Sequence, residues 1–512
     1  MKPIRLISGF LTVGVWTLLS RVLGFVRDIL IASYLGTGAV AEAFLVAFSL
    51  PNMFRRFFAE GAFNMAFVPM FSKKLESGDD PQGFARDAFT GLATILIVFT
   101  GLSMVAMPWL VMAMASGFLG DERFDLAVLF GRIAFPYILF ISLGALLSGV
   151  LNATGRFVAA AAAPVLLNVM FITSMSVAVI LGWDIGTALV WTVPFAGIAQ
   201  MSLVWVAAKR AGFTLIPRRP RMTPELKRLA IIAAPAALAG GVVQVNLLVG
   251  RQVASFFDGA IAWLNYADRL YQLPLGVVGI AIGVVLLPDL ARRLQAGDEA
   301  GGRDAFNRAS ELSLALTIPA AIALIAIPVP LVSVLYERGA FSSDDTASTA
   351  IAVAIYGMGL PAFVLQKALQ PLYFAREDTK RPFYYALVSM VVNAGLAIGL
   401  SPLIGFTAAA FGTTLAGWAT VWLLWRGSRS MGAAATWDAR FLKRIWRIIL
   451  ASVLMGIFLW WMAVLLGPFF AAGPLRYLAL LILVASGIAS YFGLGQLLGA
   501  FRLAEFKSAL RR

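Results

Sequence analysis

The sequence predicts an all-α polytopic membrane protein: fourteen transmembrane helices in two six-helix lobes related by a parallel repeat, followed by a C-terminal helix pair. Three observations predict it. Of 512 residues, 60% are hydrophobic and only 13% charged, and the mean hydropathy is +0.86. A soluble chain carries about 25% charge, so this one lacks the polar residues to cover a water-facing surface. Apolar segments of about 20 residues, the length that crosses a bilayer, recur along the whole chain. Polar landmarks in its first half recur in its second.

The fourteen segments are 8–34, 40–70, 88–113, 127–152, 157–182, 187–208, 229–256, 261–290, 310–335, 347–375, 383–402, 405–425, 447–467 and 474–500. The first, from Leu6 onward, has no small-residue cleavage site before Arg21, so it reads as a retained span and not a signal peptide. Lys and Arg accumulate in cytoplasmic loops. With both termini inside, 30 of the 41 basic residues fall on the cytoplasmic side and three, Arg123, Arg338 and Arg476, outside. The expected chain therefore crosses a membrane many times, with both termini cytoplasmic. Membrane orientation also accounts for the loop charge, which removes nucleic acid as a partner although the net charge is +15.

The repeat runs at an offset of about 219–225 residues. Pro69-Met-Phe-Ser-Lys-Lys-Leu-Glu-Ser-Gly-Asp79 matches Pro288-Asp-Leu-Ala-Arg-Arg-Leu-Gln-Ala-Gly-Asp298, and Pro136, Arg156 and Asn168 recur as Pro361, Arg381 and Asn393. Each copy holds six spans, an even number, so both enter the membrane in the same direction. The expected divisions are an N-terminal lobe 1–211, a basic cytoplasmic linker 212–228, a C-terminal lobe 229–427, and the last pair with its tail, 428–512. Transporters built this way place substrate between the halves and alternate access to it.

Eight basic residues remain inside spans: Arg21, Arg27, Arg55, Arg56, Arg132, Arg251, Arg269 and Lys367. The acids taken with them are Asp28, Glu42, Glu60 and Asp268. A charge at mid-bilayer costs roughly 2.5–3.5 kcal/mol, so twelve of them must face one another or a watery cavity. Arg132 and Arg251 lie near the outer ends of their spans, where long basic side chains snorkel. Arg56 and Glu60 are four apart and pair along a helix; Arg27 with Asp28 also fits a structural ion pair. Asn265, Asp268, Arg269 and Gln272 form one polar stripe ahead of Pro274. Bases outnumber acids two to one and arginine dominates. Its planar fork suits phosphate, which points to an anionic substrate carrying phosphate or pyrophosphate. Arg21, Arg27, Arg55, Arg269 and Lys367 are the candidate substrate contacts. Asp28, Glu42, Arg56, Glu60, Asp268 and Gln272 are the candidate gating or ion-pair residues.

No catalytic constellation accompanies them. The chain has no Cys and no His, which removes disulfides, thiol nucleophiles, Cys/His zinc sites and histidine relays. There is no Walker A motif. The pairs Asp79-Asp80 and Asp344-Asp345 lack the further acidic cluster that a Mg²⁺-diphosphate enzyme needs. The expected role is binding and movement, with no metal or cofactor.

Ser20-Arg-Val-Leu-Gly-Phe-Val-Arg-Asp28, Leu50-Pro-Asn-Met-Phe-Arg-Arg-Phe-Phe-Ala-Glu-Gly-Ala-Phe63 and Tyr266-Ala-Asp-Arg-Leu-Tyr-Gln-Leu-Pro274 resemble signature segments of the MurJ (MviN) family. These are bacterial lipid II flippases of the multidrug/oligosaccharidyl-lipid/polysaccharide exporter superfamily. The resemblance covers essentially the whole chain. It implies a V-shaped pair of lobes around a cationic cavity, and transfer of undecaprenyl-pyrophosphate-linked disaccharide pentapeptide to the outer leaflet for peptidoglycan synthesis. It puts the family's cavity arginines on Arg21, Arg27, Arg55 and Arg269, its functional acids on Asp28, Glu60 and Asp268, and a basic residue of span 10 on Lys367. Glu42 stands where some relatives carry aspartate, and Gln272 where some carry glutamate. The last two spans resemble a pair that forms a groove for the lipid tail. Some members bind sodium in the second lobe, through ligands that find no residue-by-residue match here. The implied partners are lipid II, membrane lipids and the cell-wall synthesis machinery. The implied driver is membrane potential or a monovalent cation. The rival readings are a flippase for another polyprenyl-pyrophosphate oligosaccharide, a cation-coupled drug exporter of the same superfamily, and a membrane-embedded transferase acting on prenyl phosphates.

Overall fold

A computed structural model describes residues 6–55, 58, 62–471 and 473–501. Arg56, Glu60 and the residues at either terminus lie outside the described set, so the expected pairing of Arg56 with Glu60 and the expected side of each terminus lie outside it too. The described chain is helical, with no strand among the described residues.

Ten helices and helix segments are introduced by the first half: α1 Leu6–Leu35, α2 Ala39–Arg55, α3 Ala62–Ser77, α4 Pro81–Val105, α5 Met107–Met114, α6 Glu122–Ala134, α7 Tyr137–Ala153, α8 Val158–Leu181, α9 Ile185–Arg210 and α10 Pro224–Ala254. The second half supplies α11 Ala260–Gln295, α12 Glu299–Ala326, α13 Pro328–Tyr336, α14 Ser343–Phe374, α15 Lys380–Ile404, α16 Thr407–Ser428, α17 Ala439–Leu465, α18 Gly467–Phe470 and α19 Leu475–Leu497. Every span expected from the sequence contains one of these helices or a consecutive pair. Among the described residues, ten segments are long and apolar enough to cross a membrane. The stretches 8–34, 40–70, 229–256 and 261–290 are not among the ten, and three of them carry most of the intramembrane charge. In span 40–70, residues 56, 57 and 59–61 lie outside the described set. Pro51 sits inside α2, which runs on to Arg55, and α3 starts at Ala62.

Local chemistry sets the helix starts. A side-chain oxygen at an N-cap accepts one of the backbone N–H groups that a first turn leaves unbonded. Asp80, Asp121, Asp184, Thr223, Asp298, Ser342 and Asp438 do this for α4, α6, α9, α10, α12, α14 and α17. Ser342 and Asp345 form a reciprocal capping box. The repeat is visible at this level. Gly78 and Gly297 both take a left-handed conformation, at φ 73° and 72°, which suits glycine because it lacks a Cβ. The Asp80 carboxylate accepts from Gly83 N–H at 2.9 Å, and the Asp298 carboxylate from Gly301 N–H at 2.8 Å. Lys74 meets Asp79 at 2.9 Å, and at an offset of 219 Arg293 meets Asp298 at 3.6 Å.

The chain divides into two compact units, Met1–Ala262 and Trp263–Arg512. In the first, α1 packs on α8, α2 on α6, α7 on α9, and α10 on α3. The basic segment between α9 and α10 is tied to α4, because Arg218 pairs with Asp87 and its N–H donates to Thr90 Oγ1. In the second unit, α12 packs on α14 and α17, and α16 on α14 and α15. The C-terminal helices α17 and α19 share an apolar core with α12, and Tyr491 donates its hydroxyl to the Ala315 carbonyl at 2.6 Å. Large apolar side chains such as Trp191, Phe195, Trp460 and Trp461 remain exposed, as lipid-facing surfaces require.

Candidate functional site

Within the first unit, α1 and α8 build a buried polar centre. A Cβ on Gly24 would lie 3.5 Å from the Asn168 amide, so the small residue lets the two helices approach here. Asn168 donates to the Ser20 carbonyl at 2.9 Å and accepts from Arg27 Nη1 at 3.0 Å. Arg27 Nε and Nη2 both donate to Asp28 Oδ1, at 3.0 and 2.8 Å, and its guanidinium lies 5.5 Å from the Phe171 ring. Arg27, Asp28 and Asn168 are all buried. The guanidinium is therefore fixed in direction, and its charge is balanced by the neighbouring carboxylate. Arg21, one turn or two earlier, is exposed, and Arg55 at the end of α2 is half-buried. Of these three arginines, Arg27 is locked and Arg21 and Arg55 are more accessible.

Glu42 occupies a second buried centre, at the start of α2. Its carboxylate accepts from Arg123 Nη1 at 2.9 Å and from the Ile261 N–H at 2.9 Å. Arg123 also meets Asp121 at 2.5 Å and Asp258 at 2.8 Å, and sits 4.6 Å from the Phe118 ring. Arg123, expected in an outer loop, is buried in the first turn of α6. Asp121 is held below the usual carboxylate range, first by the Arg123 N–H and further by its guanidinium. The turn around Ser116–Phe118 closes on the end of α10. Ser116 N–H donates to Gln252 at 2.8 Å and Gly117 N–H to Ser255 Oγ at 3.0 Å.

In the second unit, Asp268 accepts from Gln272 one turn on along α11. Arg269 is half-buried beside it, while Gln272 and Lys367 are exposed. Helix α11 continues through both Pro274 and Pro288. Asn393, the repeat partner of Asn168, is buried in α15 and lies against α16, where a Cβ on Gly412 would sit 2.8 Å from its Oδ1.

Three buried polar residues were not singled out as site residues by the sequence. Asn168 was visible only as a repeat landmark, and its recurrence as Asn393 was the usable signal. Arg123 stood in a string with Asp121, Glu122 and Asp125, a density of acids that marks a paired cation. Glu311, near the start of a span, is buried among Arg308 at 2.6 Å, Arg444 at 2.5 Å and Arg440 at 3.4 Å. It ties α12 to α17.

The helical arrangement is that of a polytopic transporter class. A structure described as the inward-facing conformation of a multidrug resistance MATE family transporter of the MOP superfamily matches it with a TM-score of 0.65, over 81% of this chain and 95% of that one, at 14% identity; this likeness is one of fold. A structure described as lipid II flippase MurJ in an inward closed conformation matches with a TM-score of 0.79 at 26% identity, over 98% of this chain and 99% of that one. The sequence model of the family "Lipid II flippase MurJ" matches residues 31–481. A protein of Rhizobium meliloti (strain 1021), named a probable lipid II flippase MurJ, is 43% identical over 99% of this chain and 96% of its own length. The chain belongs to the MurJ family.

Proposed function

We propose that this protein is a lipid II flippase of the bacterial inner membrane, a transporter and not an enzyme. It carries the undecaprenyl-pyrophosphate-linked peptidoglycan precursor from the inner to the outer leaflet by alternating access through a cationic central cavity. The observation that carries this reading is similarity over nearly the whole chain to proteins named lipid II flippases.

In the proposed mechanism, Arg21, Arg27, Arg55 and Arg269 contact the pyrophosphate, and Lys367 adds a further positive charge. Charge-assisted hydrogen bonds from guanidinium to phosphate are the strong ones. Arg27, already directed by Asp28 and Asn168, offers the remaining N–H of Nη1 and of Nη2 and loses little freedom when an anion arrives. Asp28, Glu42, Asp268 and Gln272, with Arg56 and Glu60, orient these cations or latch the alternate states. The prenyl tail stays in lipid along α17 and α19. Substrate moves the equilibrium only by binding one state better than the other. Membrane potential, worth about 2.3 kcal/mol per charge per 100 mV, or a monovalent cation supplies the remaining drive. Fourteen spans with both termini cytoplasmic complete the proposed topology, and the cell-wall synthesis machinery is the proposed partner.

Depletion of the protein tests the substrate class. Lipid II should accumulate and the cells should lyse. Loss of a surface polysaccharide alone, with lipid II unchanged, contradicts the reading and points to a different polyprenyl-linked cargo.

A further inference from the structure

Only three basic residues fall in the expected outer loops, Arg123, Arg338 and Arg476, and membrane orientation disfavours basic residues there. Arg123 is balanced by Glu42, Asp121 and Asp258. The other two are handled differently. Arg338 follows α13, and Arg476 opens α19, 138 positions later in the chain. Their guanidiniums nevertheless converge on one ring, at 5.7 and 5.2 Å from the centroid of Tyr477.

Neither arginine meets a carboxylate within salt-bridge distance among the described residues. Arg338 Nη2 donates to the Val334 and Leu335 carbonyls, each at 2.7 Å. Arg476 donates to the Glu337 carbonyl at 3.1 Å and to the Tyr477 hydroxyl at 3.3 Å. The Nε of each is buried with no hydrogen-bond partner among the described residues. Nearby acids are engaged elsewhere. Glu337 accepts from Thr346 Oγ1 at 2.7 Å, and Asp345 accepts from Ser342 and from Trp263 Nε1. Asp344 is exposed in the first turn of α14. Two like charges are thus gathered in one place without a carboxylate partner among the described residues. Burial, and after it the charge of Arg476, lower the proton affinity of Arg338.

Exposed apolar side chains flank and follow Arg476 along α19. Leu475, Leu478 and Leu481 of α19 are 49%, 52% and 64% exposed, a face suited to hydrocarbon chains. Paired guanidiniums at the start of a helix with such exposed leucines match a phosphate with acyl or prenyl chains attached. We propose that Arg338 and Arg476 bind the phosphate of an outer-leaflet lipid, and that this lipid joins the segment after α13 to the start of α19. The proposal rests on the orientation expected from loop charge and not on the substrate reading, so failure of lipid II transport in other tests does not bear on it.

Two lipids share this chemistry: a bulk anionic phospholipid and a polyprenyl diphosphate. Native mass spectrometry of the full-length purified protein, titrated separately with phosphatidylglycerol and with undecaprenyl diphosphate, distinguishes them. The double variant R338Q/R476Q should weaken retention of one lipid by about tenfold or more. Loss for phosphatidylglycerol identifies a phospholipid site; loss for undecaprenyl diphosphate alone identifies a site for the polyprenyl carrier. The charge-preserving R338K/R476K should fall between the two, and the single R476Q should show a smaller loss in the same direction if the double variant folds poorly. Binding of both lipids at wild-type strength by R338Q/R476Q and by R476Q overturns the proposal.

Discussion

At the scale of single residues, charge inside an apolar chain is informative only once its partners are known. Arg123 and Glu42 are both buried, and removing one member of such a pair strands the other. Arg123→Met should destabilise the protein by about 3–5 kcal/mol, read as a lower melting temperature of the detergent-solubilised protein. Adding Glu42→Gln to it should restore part of that loss; no recovery would mean that the pair is not the source. Asp121 gives a pH dependence of defined sign. Its folded pKa lies below its unfolded value, so its contribution is present above the ordinary carboxylate range and fades as pH falls through the folded value. Asp121→Asn keeps an N-cap and removes the titration. Its melting temperature should therefore fall less than that of the wild type on acidification, and parallel curves would contradict the assignment. The arginines of α1 and α11 were legible in the sequence because charge is costly in a bilayer. Which of them is locked was not. Arg27 is fixed by Asn168, 141 positions away, and no local pattern reports such a partner.

At the scale of elements, apolar length and N-cap chemistry carry most of the information. The starts of α4 and α12 follow from Gly-Asp turns that the repeat already displays, and Pro81 opens α4 as its fixed φ favours. Contacts between elements were less legible. The clasp between the Ser116–Phe118 turn and α10 was invisible. It depends on Gly117, whose position looks like an ordinary loop glycine. A Cβ there would stand 2.4 Å from the Ser255 carbonyl carbon and 2.5 Å from the Phe256 nitrogen, and backbone cannot swing aside as a side-chain tip does. Gly117→Ala should cost about 1–3 kcal/mol through overpacking. Hydrogen exchange should rise at 114–119 and 251–257 while α14 to α16 keep wild-type protection. Unchanged exchange in both segments would show that the clasp does not depend on this approach.

At the scale of the whole molecule, composition and loop charge define the class, and the signature segments of α1, α2 and α11 define the family to which the chain belongs. The described residues are helical throughout, without a strand, in agreement with the expected all-α membrane architecture. The bilayer limits a chain to few solutions, which is why so much of this level is readable from sequence: each backbone polar group must be bonded within a helix. The central claim is that outward transfer of lipid II depends on the basic residues of the two units. Its most direct measurement is translocation of fluorescent lipid II in vesicles containing the purified protein, scored by the fraction reached by a membrane-impermeant quencher. The wild type should move lipid II between leaflets, and Arg269→Ala, reconstituted at equal amount and helicity, should reduce the rate by tenfold or more, about the effect of losing one charge-assisted contact. Translocation by Arg269→Ala at the wild-type rate would contradict the account.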